Sequence, residues 1–513
     1  MKNLFAVLIS AFFLIPFQYV FTQTNSTNTK PNVVFILADD WGYGDVKCLN
    51  PNSKIATPYT DNLAKQGMIF TDAHTSSSVC TPSRYSLLTG RYNWRTKMQE
   101  YVLGGFSKPL IDPNRTTIAS FLKQQGYNTA AIGKWHLGLD MPFMDGEVEP
   151  EVEVKRNVAV NWKGEIKNGP NTNGFDYFFG VSASTDMPPY IYIENNKFIG
   201  EATARKGINR KGQGAPDFDV NDVLPEIGRR TINFIKNQNT STPYFAYVAL
   251  TSPHTPIIPT NEWLGKSGLN KYADFVMQTD DIIGKIIAAI DSSGMANNTI
   301  IIISSDNGCS KSANIQELAN KGHAVSYIYR GSKADLWDGG HRVPFIVRWP
   351  DKVKASSTSS ALICQTDFFA TMAEIIGANV QDNFAEDSQS FLPALLGKNQ
   401  KNKARGIVHH AINGHFAYRL GKWKLLLAKG SGGWTSPTEK QVADTTIVAQ
   451  LYNMENDPGE TTNLYNKYPK IAAKLLAQLQ KEVNDGRSTK GLPQKNDTDK
   501  IILWKNAYQT TQF

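Results

Sequence analysis

Two stretches far apart in the chain constrain its fold more than any other feature. "NVVFILADD" (32–40) and "NTIIIISSDNG" (298–308) are each a nearly unbroken apolar, β-branched run that ends on acidic or amide residues. A run without polar alternation has no solvent face, so each reads as a strand buried on both sides. Between them the order helix, glycine, strand appears in "TIASFLKQQGYNTAAIGKWHLG" (117–138), and helix then strand recurs in "EIGRRTINFIKNQ" followed by "PYFAYVALTSPH" (226–254). "FVMQTDDIIGKIIAAIDSSG" (275–294) supplies an amphipathic helix just before the second acid-tipped strand. Strands alternating with helices predict an α/β fold built on a large, mostly parallel sheet with helices on both faces. In such sheets ligands bind beyond the carboxyl ends of the strands, where these acids fall.

The texture changes after "SFLPALLGKNQKNKARG" (390–406). Short alternating strands and turns follow, then a helix at 468–483, which predicts a smaller C-terminal α+β domain with an antiparallel sheet. The division expected is a large domain over 24–395 and the smaller one over 396–513. The irregular region from about 140 to 175 is too long for a simple connection and is expected to form a surface hairpin near the site.

Residues 1–23, "MKNLFAVLISAFFLIPFQYVFTQ", combine Lys2 with an apolar run broken by Pro16 and then give way to polar residues. This is the pattern of a cleaved export signal, and the run is short and interrupted for a bilayer span. The expected location is periplasmic or secreted, without stable membrane insertion. The four cysteines, Cys48, Cys80, Cys309 and Cys364, are too widely spaced for a zinc motif or a dense disulfide framework, although one disulfide between two of them stays open. A formal charge of +8 and a pI near 9.0 favour polyanionic partners. With no basic run, helix-turn-helix pattern or aromatic RNA-binding signature, the sequence argues against nucleic acid.

Asp39 and Asp40 are adjacent at one strand end, and Asp306 and Asn307 end the other. Carboxylates held together repel unless a proton or a cation neutralises them. Four oxygen donors without a histidine or thiolate suit calcium or magnesium rather than zinc. In "CTPSRYSLLTG" (80–90), Thr81 reads as a helix N-cap, Pro82 as the first helical residue and Gly90 as the stop. That puts Cys80 at the positive end of a helix and Arg84 in its first turn, where a cation opposes the dipole and calls for an anion nearby. Taken singly, Cys80 reads as a disulfide partner or an inert buried thiol, Lys134 and Lys333 as solvated charges, and His136 and His254 either as functional or as structural histidines.

Their neighbours decide otherwise. The run Cys80 to Arg84, C-T-P-S-R, resembles the C-x-P-S-R modification signal of the formylglycine-dependent type I sulfatases, a branch of the alkaline phosphatase superfamily. "VVFILADDWGYGD", "LLTGRY", "IGKWHLG", "GFDYFFG", "SPHTP", "SSDNG", "GSKADLWDGGHRVPFIVRWP" and "LYNMENDPGETTNL" occur in the family's order, from about residue 31 to 465. The resemblance implies that a formylglycine-generating maturation enzyme converts Cys80 to 3-oxoalanine (formylglycine). One hydroxyl of its hydrate attacks sulfur, and deprotonation of the other then expels sulfate. It further implies one bound calcium ion held by Asp39, Asp40, Asp306 and Asn307, with modified Cys80 completing the shell. Arg84 would stabilise the hydrate, Lys134 bind sulfate and His136 accept the second hydroxyl's proton. His254 and Lys333 would hold the ester and sulfate oxygens, one of them protonating the leaving alcohol. The implied substrate is a sulfated carbohydrate of the galactose or N-acetylgalactosamine sulfate class. A formylglycine-dependent phosphonate or phosphate ester hydrolase is the nearest rival, and Asn307 argues against it. A catalytically silent glycan-binding protein is the alternative from another class.

Overall fold

The computed structural model describes residues 30–144, 158–398, 405–444 and 446–505. The expected export signal at 1–23 and part of the expected hairpin within 140–175 lie outside them. A ten-stranded sheet forms the body of the molecule. Four of its strands are neighbours in the order Thr299–Ser305, Asn32–Ala38, Tyr244–Ala249 and Asn128–Lys134. All three pairings are parallel, with Val33 beside both Ile300 and Phe245, and Tyr244 beside Asn128. Tyr177–Val181 extends the parallel set on one side, and Phe345–Arg348 joins antiparallel on the other.

The unbroken apolar runs behave as their composition dictates. Every residue of Asn32–Ala38 and of Thr299–Ser305 is buried. Helices Pro58–Gln66, Val223–Lys236 and Lys271–Ser292 form one packed group, and Cys80–Thr89, Ile118–Gln124 and Phe368–Ile375 form another. Phe35 meets Phe368 and Phe345 edge-on, with ring centroids 5.0 and 6.3 Å apart. Cutting such a ring to alanine costs about 3–5 kcal/mol.

A separate four-stranded antiparallel sheet runs Gly406–His410, Phe416–Leu420, Trp423–Leu426, Gln450–Asn453. Leu475 and Leu479 of the Pro469–Asn484 helix bury against Val408, Phe416, Tyr418 and Leu425 of this sheet. Among the described residues no helix is long and apolar enough to cross a membrane.

Because the four central strands are parallel and adjacent, their carboxyl ends share one edge about 15 Å wide at the usual strand spacing. The residues that follow them are, in sheet order, Asp306 and Asn307, Asp39 and Asp40, the segment leading to His254, and Lys134 itself with His136.

Candidate active site

Cys80 begins a helix that runs to Thr89, and all ten of its residues are buried. The sequence places the helix start later, with Thr81 as cap. In the structure Val79 is the N-cap, in extended conformation and without a capping side chain, and Pro82 lies inside the first turn. Thr81 cannot cap because its Oγ1 accepts the Leu103 amide (3.3 Å), while Ser83 Oγ donates back to Ser77 O and Val79 O. Cys80 thus lies within the positive end of the dipole rather than before it. Gly90 ends the helix as expected, at φ 65° with its N–H on Ser86 O.

Arg84, one turn further on, is fully buried. Its Nε and Nη2 donate to Asp306 Oδ2 at 3.0 and 2.7 Å, and Nη1 donates to Lys134 O at 3.2 Å. The cation that opposes the dipole is therefore held by an anion on the neighbouring strand end. Lys134 Nζ donates to Asp39 Oδ2 (2.7 Å). Lys333 Nζ lies 2.6 Å from Asp40 Oδ1, which also accepts from Asn307 Nδ2 at 2.7 Å. Asp40 adopts φ 64°, an unfavourable conformation for a non-glycine residue, and its N–H donates to Asp306 Oδ1 (3.2 Å). His136 (φ 57°) and Ala334 (φ 81°), next to Lys333, share this strain, which proteins concentrate at functional sites.

Three oxygens are left over. Asp39 Oδ1, Asp40 Oδ2 and Asn307 Oδ1 are buried and accept no hydrogen bond. Each such atom costs about 1–3 kcal/mol, so three together are a defect unless something else binds them. All are hard oxygen donors from residues expected to be metal ligands, and the site fits a calcium ion. Asp39, Asp40 and His254 also bring ligand atoms within 4.8 Å of one another. His254 Nε2 lies 3.7 Å from Asp40 Oδ2, while its Nδ1 is occupied by Thr255 O (2.7 Å) and Ser184 Oγ (3.0 Å). The orphaned oxygens make the carboxylate and amide set the better cation cradle, with His254 at its rim.

Burial raises the Asp39 carboxyl, but Lys134, with His254, Arg84 and Lys333 around it, brings it below the ordinary range. Asp306 is pushed up to about 6 by burial and by the charge on Asp39. Burial also raises the Cys80 thiol, against the pull of Lys134 and Lys333. An unmodified thiol here remains protonated and is a poor nucleophile. His136 is held well below the usual histidine value, by burial first and by Lys134 next. Its Nε2 donates to Leu103 O (2.6 Å), and its buried Nδ1 has no partner. The neutral ring is thus fixed in the tautomer that leaves one lone pair free to accept a proton.

The structure gathers all ten sequence-predicted residues on this edge and leaves each of the four cysteines as a free thiol. His323 binds Asp45 Oδ1 through Nε2 (2.8 Å) and accepts the Lys54 amide, a structural role. Ser184, which orients His254, carries no local signal, since its loop reaches His254 only through the folded sheet.

Known proteins resemble the chain over most of its length. The sulfatase family model matches residues 31–378, and one for the N-sulphoglucosamine sulphohydrolase C-terminal region matches 332–489. An N-acetylgalactosamine-6-O-sulfatase of Bacteroides thetaiotaomicron is 32% identical, over 90% of this chain and 95% of the relative. Arylsulfatase G of Mus musculus is 28% identical over 94% and 92%. A solved structure from Bacteroides thetaiotaomicron, titled for the metabolism of multiple glycosaminoglycans, superposes with a TM-score of 0.77 at 31% identity. It covers 88% of this chain and 99% of its own. With its family match, its fold and a cluster of opposed charges around Cys80 in agreement, the chain belongs to the alkaline-phosphatase-like sulfatases and is a sulfuric ester hydrolase.

Proposed function

We propose that this enzyme removes sulfate from a sulfated glycan of the galactose or N-acetylgalactosamine class, through formylglycine made from Cys80 by a maturation enzyme and one calcium ion. The observation that carries the reading is the trio of orphaned oxygens beside Cys80, ringed by Arg84, Lys134 and Lys333. The relative that acts as an N-acetylgalactosamine-6-O-sulfatase supports the choice of sugar. When bound, calcium offsets the carboxylate charge and acidifies the nucleophilic hydroxyl that the hydrated aldehyde supplies.

The chain's own residues do the rest. Three carboxylates face Arg84, Lys134 and Lys333, an even balance that a divalent cation tips to positive. With the carboxylates so engaged, the Lys134 and Lys333 ammonium groups are released to an anionic sulfate ester. Arg84 steadies the position of residue 80, His136 Nδ1 accepts a proton, and His254 Nε2 faces the leaving oxygen. We propose further that residues 1–23 are an export signal, that the enzyme works in the periplasm or outside the cell, and that the chain divides into 24–395 and 396–513.

The test is sulfate release from a panel of galactose and N-acetylgalactosamine sulfates, using protein whose Cys80 peptide has been checked by mass spectrometry. Turnover that is lost in Cys80→Ala and on chelation supports the proposal. Wild-type rates in Cys80→Ala would overturn it, and turnover of phosphonate esters in preference to sulfates would move the enzyme to its rival class.

A further inference from the structure

Resting on the sulfated-glycan reading, we propose that Trp434 and Lys311 form a second saccharide subsite. It takes the sugar next to the one that loses sulfate, in a substrate whose neighbouring unit carries an acidic group.

Trp434 is the one exposed tryptophan among the described residues, at 38% of its surface. It belongs to the small lobe, yet its loop is fastened to the segment that carries Lys333. Asp335, fully buried, accepts the Trp434 and Thr435 amides on Oδ1 (2.8 and 3.0 Å) and the Ser332 amide on Oδ2 (2.8 Å). Ser332 Oγ meets Thr435 Oγ1 at 3.1 Å, and Leu336 N donates to Ser431 O at 2.8 Å. Gly433 permits the contact, since a Cβ there would lie 2.2 Å from Ala334 O. The loop is also closed on itself by Glu439, which accepts the Lys429, Gly430 and Gly432 amides. A bulky ring is therefore held rigidly in solvent, two residues along a hydrogen-bonded segment from an active-site lysine.

Lys311 reaches the same place from the other side. Lys333 N donates to Cys309 O (2.9 Å), and two residues beyond Cys309 the exposed Lys311 sets its ammonium 5.1 Å from the Trp434 ring centroid. A rigid, half-open aromatic ring suits the apolar C–H face of a pyranose, and a cation beside it suits a carboxylate or sulfate on that sugar. Neither residue touches the charge cluster, so the pair acts on which ester is chosen rather than on the chemistry.

The test compares full-length, matured wild type, Trp434→Ala, Trp434→Phe and Lys311→Met. The substrates are a sulfated monosaccharide and three disaccharides bearing the same cleavable ester beside a neutral, a uronate or a second sulfated unit. Trp434→Ala is expected to lower kcat/KM on all disaccharides about tenfold, through KM, consistent with aromatic contact energies. It leaves the monosaccharide within about twofold, and Trp434→Phe recovers most of the loss. Lys311→Met is expected to cost about threefold or more on the acidic disaccharides only, as for an exposed cationic contact. The uronate and disulfated arms show which acid is preferred. Equal losses on monosaccharide and disaccharide, or none on either, would overturn the subsite.

Calorimetric binding of the same disaccharides to the Cys80→Ala protein, with and without Trp434→Ala, separates this inference from the reading beneath it. Weaker disaccharide binding without Trp434, in a protein whose wild type releases no sulfate, upholds the subsite and sinks the function. Unchanged binding alongside normal turnover does the reverse.

Discussion

Two dense clusters of buried charge are satisfied in opposite ways. At the sheet edge, three acceptor oxygens accept no hydrogen bond. At the junction of the two lobes, Asp338 gives Oδ1 to Lys424 (2.7 Å) and Oδ2 to Arg342 (2.9 Å). Glu460 accepts from Lys424 (2.8 Å) and from the Asp338 amide (2.6 Å). Asp72 binds Arg342, Arg419 and His74. Every carboxylate oxygen of that set has a donor, and its unpartnered atoms are two nitrogens, His409 Nε2 and Arg419 Nη1. His74, His341 and His409 bring ring nitrogens together there, but His341 and His409 stack with centroids 3.7 Å apart and so cannot both aim a lone pair at one ion. Saturated charge marks a structural joint, and unsaturated charge marks a place where something else must bind.

Asp39→Asn sharpens this contrast most. It removes a charge from the calcium cradle while keeping an acceptor for Lys134, so kcat is expected to fall about a thousandfold, on the scale of losing a key electrostatic group. Stability should change by only about 1 kcal/mol, because the amide keeps an acceptor for Lys134 while an unpartnered oxygen and a like charge beside Asp306 disappear. Steady-state kinetics beside thermal melts would show both, and a well-folded variant with normal turnover would break the distinction.

Lys424→Met is the mirror image. Leaving Asp338 and Glu460 buried without their cation should cost about 3–5 kcal/mol of stability. The fraction that stays folded should turn over within about twofold of wild type, since no contact of Lys424 reaches the charge cluster around Cys80. Denaturant titration combined with specific activity reads the two effects apart.

Calcium itself should discriminate between the clusters. At a hundred times its dissociation constant a ligand of the native state adds about 2.7 kcal/mol, so chelated wild type should gain several degrees in Tm on calcium addition. Lys424→Met should gain as much, and Asp39→Asn much less. An equal gain in all three would place the ion elsewhere.

A last effect concerns an acid with no cationic partner of its own. Burial pushes Glu482 up to about 7, and it accepts from Tyr418 Oη at 2.6 Å. Between the unfolded value of 4.5 and about 7 the native state holds a proton that the unfolded chain has lost. Stability from this group is therefore full below the unfolded value and is lost as pH rises through that window, by at most about 3 kcal/mol. Glu482→Gln should flatten the fall in Tm between pH 5 and pH 8 and raise Tm at the upper end. A variant that melts with the wild-type pH profile would show that Glu482 is ionised throughout.

The acid-tipped strands were legible because a buried strand has a fixed length and its end needs a different residue type. Asp39, Asp40, Asp306 and Asn307 stand where the apolar runs stop. Order in space was less legible, since nothing in either run says that residue 306 lies beside residue 40. The cap at Cys80 was misread for a tertiary reason, the capture of Thr81 Oγ1 by the Leu103 amide. Lys134 and Lys333 were found through their motifs, but their pairing with Asp39 and Asp40 depends on strand tips that meet only after folding. Ser184 and Trp434 had no signal at all, because each owes its position to a loop docking from elsewhere.

The Asp40 amide bonds a carboxylate 266 residues further along the chain, and Arg84 reaches across 222. Contacts of such separation are entropically slow to form, so the site is among the last parts of the molecule to assemble. A nascent chain released before Asp306 has the Cys80 helix and half the cradle, yet no anchor for Arg84. Competence for hydrolysis thus reports that the entire large sheet has closed.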